Sequence, residues 1–401
     1  MADPPTSQTS SDAVTNATPT GNPTPGPVDV TVPASDSAPD PVSNHSAVVV
    51  AADDFTDDTA SDIATAPKAL LSLAPFFNVT RSSNALQSVS SSSASLSSSI
   101  LQHRLENGRT YHKYKDGKYL YPNDEKENDR LDLQHNLFLL TLDYKLGLAP
   151  PNDQGSDVKR VLDVGTGTGL WAIEFAEEHP EAEVLGVDLS PPQTEFVPPN
   201  LKFEIDDVEQ PWTYSRPFDY IHIRGMTSSV TDWHAFFTQA YKGLVPGGYI
   251  ELFEGHARTQ SDDGSLTPAH AFWQWCDKLD ECCKILGRPF VHVPDLVPIL
   301  KEVGFVDVTI VPFKWPIGPW AKDPYYKELG EWALANAFDG LEAWTMAAFT
   351  RALDWTSAEV QVFLIQVRKD LRDMSIHHYC PLWVIYARKP EDEGQQEVST
   401  A

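Results

Sequence analysis

VLDVGTGTGLW, residues 161–171, joins an apolar run to three glycines set two residues apart. The run KRVLDV (159–164) is continuously apolar after its basic start, the pattern of a strand covered on both faces in a parallel sheet. A helix is predicted over 169–179, where Leu170, Trp171, Ile173 and Phe175 recur at helical spacing. Strand, glycine turn and helix in that order form a loop whose backbone can approach a nucleotide.

The same alternation continues outward from this loop. AEVLGVD (182–188), LKFEID (201–206) and FDYIHIR (218–224) read as strands two to four. A helix follows through Trp233, Phe236, Phe237 and Tyr241, and PGG (246–248) predicts a turn into a fifth strand, YIELFE (249–254). Repeated β-α-β units of this length imply a Rossmann-like, doubly wound α/β sheet with right-handed crossovers. Helices are predicted at 269–286, about 324–350 and 357–372, the last opened by a capping box of Thr356 and Glu359. Strands GFVDVTIVPF (304–313) and CPLWVIYARK (380–389) lie among them and fit an antiparallel pair added at the sheet edge, seven strands in all. Upstream, NGRTYHKYKDGKYLYP (107–122) reads as loop or short strand. A helix is expected from about Asp124, through Leu133, Leu137, Leu140 and Tyr144.

Residues 1–104 differ in kind. They are rich in Ser, Thr, Pro, Ala and Asp, and include the tract SVSSSSASLSSSI (88–100). Such a segment buries too little apolar surface to offset its chain entropy and is expected to be a disordered tail. Its apolar islands, AVVVAA and ALLSLAPFF, are candidate docking segments. The expected organisation is tail (1–104), one domain (105–390) with a helical lid at about 314–378, and a flexible end (391–401).

Composition excludes several roles. A net charge of −27 over 401 residues repels nucleic acid. Cys276, Cys282, Cys283 and Cys380 show neither a disulfide framework nor a zinc spacing. No basic-then-apolar leader is visible, and no apolar run approaches the roughly 18–20 residues of a membrane span. The expectation is a cytoplasmic or nuclear protein that is not secreted. HHYC (377–380) invites a metal reading, but adjacent histidines entering a strand would point to opposite faces, so no metal is expected.

The glycine spacing narrows the ligand. Gly165, Gly167 and Gly169 give GxGxG, with Leu170 where a dinucleotide fingerprint has its third glycine, which argues against a dehydrogenase. No Lys-Ser/Thr follows, so the loop is not built for ATP or GTP. Asp163, two residues before the first glycine, suits a cationic ligand better than a pyrophosphate. Asp188 ends strand two, where a carboxylate can take both ribose hydroxyls. Asp206 and Asp207 end strand three, a natural place to meet an adenine. A positive sulfonium and an ammonium make S-adenosylmethionine the ligand that fits.

DVGTGTG, GVDLSP, IDDVEQPW, FDYIHIRG and LVPGGYIELFE, in that order, resemble the motifs of class I S-adenosylmethionine-dependent methyltransferases. NGRTYHKYKDGKYLYPNDEKENDRLDLQHNLF, WAIEFAEEHPEAEVLGVDLSP and the late ARKP are similar to the LaeA-like fungal methyltransferases, over residues 105–390. The resemblance implies that Asp163, Gly165, Gly167 and Gly169 line the methionine end of the cofactor. It implies that Asp188 binds the ribose with Leu189 beside the adenine, and that Asp207 reaches the adenine amine with Val208 against the ring. Arg224 and Gly225 would lie near the methionine or the acceptor. Thr166 stands where many relatives carry Cys or another small residue.

Methyl transfer needs a base only where the acceptor keeps a proton until attack. Glu251, Glu254, His256, His112 and Tyr111 lie near enough to be candidates, and none is assigned. Aromatic residues crowd the insertion (Trp315, Trp320, Tyr325, Tyr326, Trp332, Phe338, Trp344, Phe349, Trp355). Most are expected in the core, the rest lining a flat apolar acceptor site. Two functions follow from the resemblance: an enzyme methylating a small natural product in secondary metabolism, or a regulatory subunit acting with velvet-type partners.

Overall fold

A computed structural model describes residues 103–194 and 196–391. The expectations for the tail through residue 102 and for the end from residue 392 lie outside the described residues. The tail assignment ran slightly too far, because a hairpin already starts inside it. Its strands are β1 (His103–Glu106) and β2 (Arg109–His112), turned by Asn107 and Gly108 at positive φ.

The first helix, α1 (Glu125–Thr141), starts where the Asp124 carboxylate accepts the Glu127 N–H at 3.1 Å. It stops before Tyr144, which the apolar spacing had included. Asp143 and Tyr144 both adopt left-handed φ, and this turns the chain out of the helix and leaves Tyr144 exposed.

Then come β3 (Arg160–Val164), α2 (Leu170–Glu178), β4 (Glu183–Asp188), β5 (Leu201–Ile205), β6 (Phe218–Arg224), α3 (Trp233–Gly243) and β7 (Leu244–Gly255). PGG does not precede the fifth strand but lies within it. Phe218 pairs with Leu244 and Tyr220 with Tyr249, so Val245–Gly248 bulge opposite Asp219 alone, with Gly247 at φ +79°. Among the described residues the connections 189–200 and 206–217 carry no helix, so only some crossovers have the expected β-α-β form.

The chain continues through α4 (Ala271–Ile285), α5 (Leu296–Val303), β8 (Val306–Pro316), α6 (Pro324–Ala352), α7 (Ser357–Arg372) and β9 (Tyr379–Arg388). Helix α5 was not anticipated. Its Pro298 reads as a breaker, but it sits in the first turn, where no intrahelical N–H is needed. The Thr356–Glu359 capping box is present at the start of α7.

The seven strands order as β5-β4-β3-β6-β7-β9-β8. The first five are parallel, and β9 pairs antiparallel with both β7 and β8. This is the doubly wound sheet with an antiparallel edge pair that the sequence implied. From β3 the chain runs to one edge, returns, and continues through β6 to the other. The carboxyl ends of β3 and β6 therefore flank the topological switch point, where open α/β sheets bind ligands.

Trp171 and Phe175 of α2 pack one sheet face, and α3 and α5 pack another apolar cluster against the sheet. A third core joins α1, α4, α6 and α7 to β8 and β9. Trp315, Trp320, Tyr326, Trp332 and Phe349 are buried in it, whereas Tyr325, Phe338, Trp344 and Trp355 are partly buried. Among the described residues no helix is long and apolar enough to cross a membrane.

Candidate active site

The three loop glycines all take positive φ, at +71°, +59° and +86°. The N–H groups of Gly165 and Thr166 both donate to the Val187 carbonyl, which ties the loop to the end of β4. Two glycines are small because something is packed on them. A Cβ at Gly165 would sit 2.5 Å from the Met226 sulfur, and one at Gly169 would sit 2.8 Å from Phe203 Cζ. Gly167 differs: a Cβ there would meet only Leu131 Cδ1 at 3.8 Å and a loop carbonyl at 4.0 Å. At Gly225, after β6, nothing lies within 4 Å. The backbone at these two positions is therefore open to a ligand.

Asp188 holds the rim of that opening. One carboxylate oxygen accepts the Gly167 N–H and the other the Ser190 N–H, both at 3.0 Å. Ser190 Oγ is hydrogen-bonded to His112 Nδ1 at 2.6 Å and accepts from Asn123 Nδ2 at 3.3 Å. His112 also bonds the backbone of half-buried Leu189, and burial lowers its pKa. The segment 107–123 thus straps the end of β4. It straps the end of β5 as well, where Lys118 Nζ lies 2.5 Å from the buried Asp207 carboxylate and 3.2 Å from Glu209. Asp207 also accepts the Glu209 N–H, and the adjacent Val208 carbonyl takes the Trp212 indole N–H at 2.9 Å. A third tie runs from Glu106 to Arg351 of α6, 2.7 Å apart.

Asp163 lies beneath the loop and is buried. Its carboxylate accepts the Thr166 hydroxyl at 2.6 Å and contacts His222 Nδ1 at 2.8 Å. The His222 ring stacks on Trp171 at 3.6 Å, and burial holds its pKa low. Arg224, at the end of β6, lies over the Phe138 ring and donates to His135 Nδ1 at 3.0 Å. Burial pulls its pKa down to about 10, so it remains a cation at neutral pH. The structure thus gathers Asp163, the three glycines, Asp188, Leu189, Asp207, Val208 and Arg224 along the carboxyl edge of the parallel strands.

The base candidates have other occupations. Glu251 is buried and accepts from the Leu148 and Ala149 N–H groups, Tyr220 and Asn152. Glu254 accepts the Met226 and Thr227 N–H groups, and burial raises it to about 8. His256 accepts the Arg258 N–H at 3.0 Å. Tyr111 is buried under Arg351, its hydroxyl without a hydrogen-bond partner, and burial pushes it up to about 12. His377 and His378 precede β9 rather than entering it, and His377 meets Asp263 at 2.6 Å.

Sequence reasoning missed Leu131, His135 and Lys118. Leu131, His135 and Phe138 share one face of α1 at spacings of four and three, beside the stripe of Leu133, Leu137 and Leu140 that the sequence showed. A cleft of about 320 Å³ lined by Pro151, Asp157, Asp219 and Tyr249 lies at the opposite, amino edge of the strands.

A sequence profile described as a methyltransferase domain matches residues 133–310. The chain is 40% identical to the methyltransferase pytC of Aspergillus terreus, over 75% of this chain and 92% of that protein. It is 36% identical to the secondary metabolism regulator LAE1 of Cochliobolus heterostrophus, over 72% and 95%. To the secondary metabolism regulator laeA of Aspergillus flavus it is 34% identical, over 71% and 77%. Each of these matches runs along most of both chains. The chain therefore belongs to the LaeA-like fungal methyltransferases.

Proposed function

We propose that the protein is an S-adenosylmethionine-dependent methyltransferase acting on a small-molecule acceptor. The observation that carries this is the open backbone at Gly167 and Gly225, bounded by the Asp188 carboxylate on one side and the Arg224 cation on the other. These groups fit the cofactor: a carboxylate for ribose hydroxyls, a guanidinium for the methionine carboxylate, and bare backbone between them. Asp207 and Val208 would meet the adenine, with Lys118 giving way to its amine. Asp163 would act from beneath by holding Thr166 and the loop in place. The bound cofactor supplies a methyl group already activated by its sulfonium. The protein then contributes chiefly position and exclusion of water, which the strap and α1 provide.

The acceptor would enter between the strap and the helical layer, taken here as a lid over about 314–378. Tyr119 and Tyr121 stand edge to face at 5.2 Å there, near the buried Glu127–Arg130 pair that joins α1 to Asn336 of α6. Calorimetric titration with S-adenosylmethionine and NAD tests the cofactor assignment. Saturable heat is expected with the first, and heat with NAD alone would overturn it. Mass spectrometry of metabolites from cells with and without the gene should show products differing by one methyl group.

The similarity to LAE1 over 95% of that protein favours a second reading, a regulatory methyltransferase acting in the nucleus with a velvet-type partner. Co-purification with such a partner, together with metabolite changes too broad for one methylation step, would select it over the enzyme of a single pathway.

A further inference from the structure

Arg224 is a half-buried cation with no carboxylate of its own. Among the described residues none comes within ion-pair distance of its guanidinium. The acids that act on it from farther off are Asp163, Glu174 and Glu254. Asp163 is engaged by His222 and Thr166, Glu254 by two backbone N–H groups, and Glu174 by His135. A half-buried guanidinium with no ion-pair partner leaves its charge unbalanced, so the site calls for an anion.

The guanidinium is also aimed. It rests on Phe138, with 4.6 Å from its carbon to the ring centre, and Nη2 donates to His135 Nδ1 at 3.0 Å. Arginine has no acceptor, so that bond requires a bare Nδ1. The imidazole proton must then sit on Nε2, which faces Glu174 Oε2 at 2.9 Å. A carboxylate on α2, an imidazole on α1 and a guanidinium at the end of β6 thus form one line. Gly225, immediately beyond, leaves open space on the crevice side.

We propose that Glu174 and His135 are positioning residues: Glu174 fixes the His135 tautomer, and His135 holds the Arg224 guanidinium toward the α-carboxylate of the cofactor's methionine. The inference rests on the cofactor reading above. Neither positioning residue touches the cofactor.

The test uses the full chain and two probes, S-adenosylhomocysteine and the analogue that lacks only its carboxylate. The wild type is expected to prefer the first by about 10- to 100-fold, the range of a charged hydrogen bond. In His135→Ala the preference should fall to within about threefold while affinity for the decarboxylated probe stays level, since the loss is confined to one hydrogen-bonded contact. His135→Asn, whose Oδ1 can stand in for Nδ1, should restore most of the preference. A folded His135→Ala that keeps the wild-type preference would overturn the proposal, as would a wild type that shows none. If the wild type binds neither probe, the cofactor reading itself fails, and the proposal with it. Nitrogen-15 spectra of the unaltered protein give an independent readout: His135 should carry its proton on Nε2, and a proton on Nδ1 would refute the arrangement.

Discussion

Asp188 joins two backbone segments through one side chain, so its loss should be felt at the ligand before it is felt in the fold. Asp188→Ala removes the acceptor for Gly167 and Ser190 at a strand end, away from the apolar clusters. S-adenosylmethionine affinity should drop by roughly 1.5–3 kcal/mol, the scale of charged hydrogen bonds, with little change in melting temperature. Calorimetry on the folded variant checks this, and unchanged affinity would remove Asp188 from the ribose. His378 offers a different residue-level test. It is buried against Phe272, its Nδ1 has no partner, and burial lowers its pKa to about 3. An unfolded histidine takes its proton near pH 6.5, roughly its reference value. Below that pH the unfolded chain binds a proton that the folded chain refuses. The stability from this group is therefore full above about 6.5 and is lost as pH falls toward 3, by at most about 1.4 kcal/mol per unit. His378→Phe should flatten this acid limb, read as urea midpoints at pH 6.5 and 5.5. At this scale the sequence was legible where a residue type has one use. Positive-φ glycines and strand-end aspartates could be picked out, whereas His135 and Lys118 could not, because their partners are distant in the chain.

The strap is the element on which site and fold depend together. Its ties to Ser190, Asp207 and Arg351 span the ends of β4 and β5 and the helical layer. A chain beginning at Pro122 keeps the Asp124 cap of α1 but loses all of β1, β2 and Lys118. Its cofactor affinity should fall at least about tenfold, as expected when ordered polar contacts around a site are removed. Retention of full affinity would show that the strap does not cover the cofactor. Elements were legible where periodicity and punctuation agree: the first four parallel strands of the sheet, the extent of α6, and α7 with its capping box. They were not legible where one signal has two meanings. PGG marks a bulge as readily as a turn, and Pro298 is a breaker only outside a first turn.

For the whole molecule, the doubly wound sheet and its antiparallel edge pair were legible from the alternation of elements and the rule of right-handed crossovers, but the order of the strands was not. The three-way division of its cores was not, because it depends on which side each connection passes. Removing residues 1–102 should leave melting temperature and cofactor affinity nearly unchanged, given their Ser-, Thr- and Pro-rich sequence. A large drop in melting temperature would show that the segment is structural. The sheet also carries an instruction about synthesis. β9 is the last strand in the described chain, yet it lies inside the sheet, between β7 and β8. As the polypeptide leaves the ribosome, β8 has no neighbour to pair with and β7 has an open flank until residues 379–388 emerge. Folding of this half must wait until residues 379–388 are made, with strand edges exposed meanwhile and open to chaperones. A nonsense codon between Ile317 and His378, after β8 and before β9, should therefore yield insoluble protein rather than a shortened enzyme.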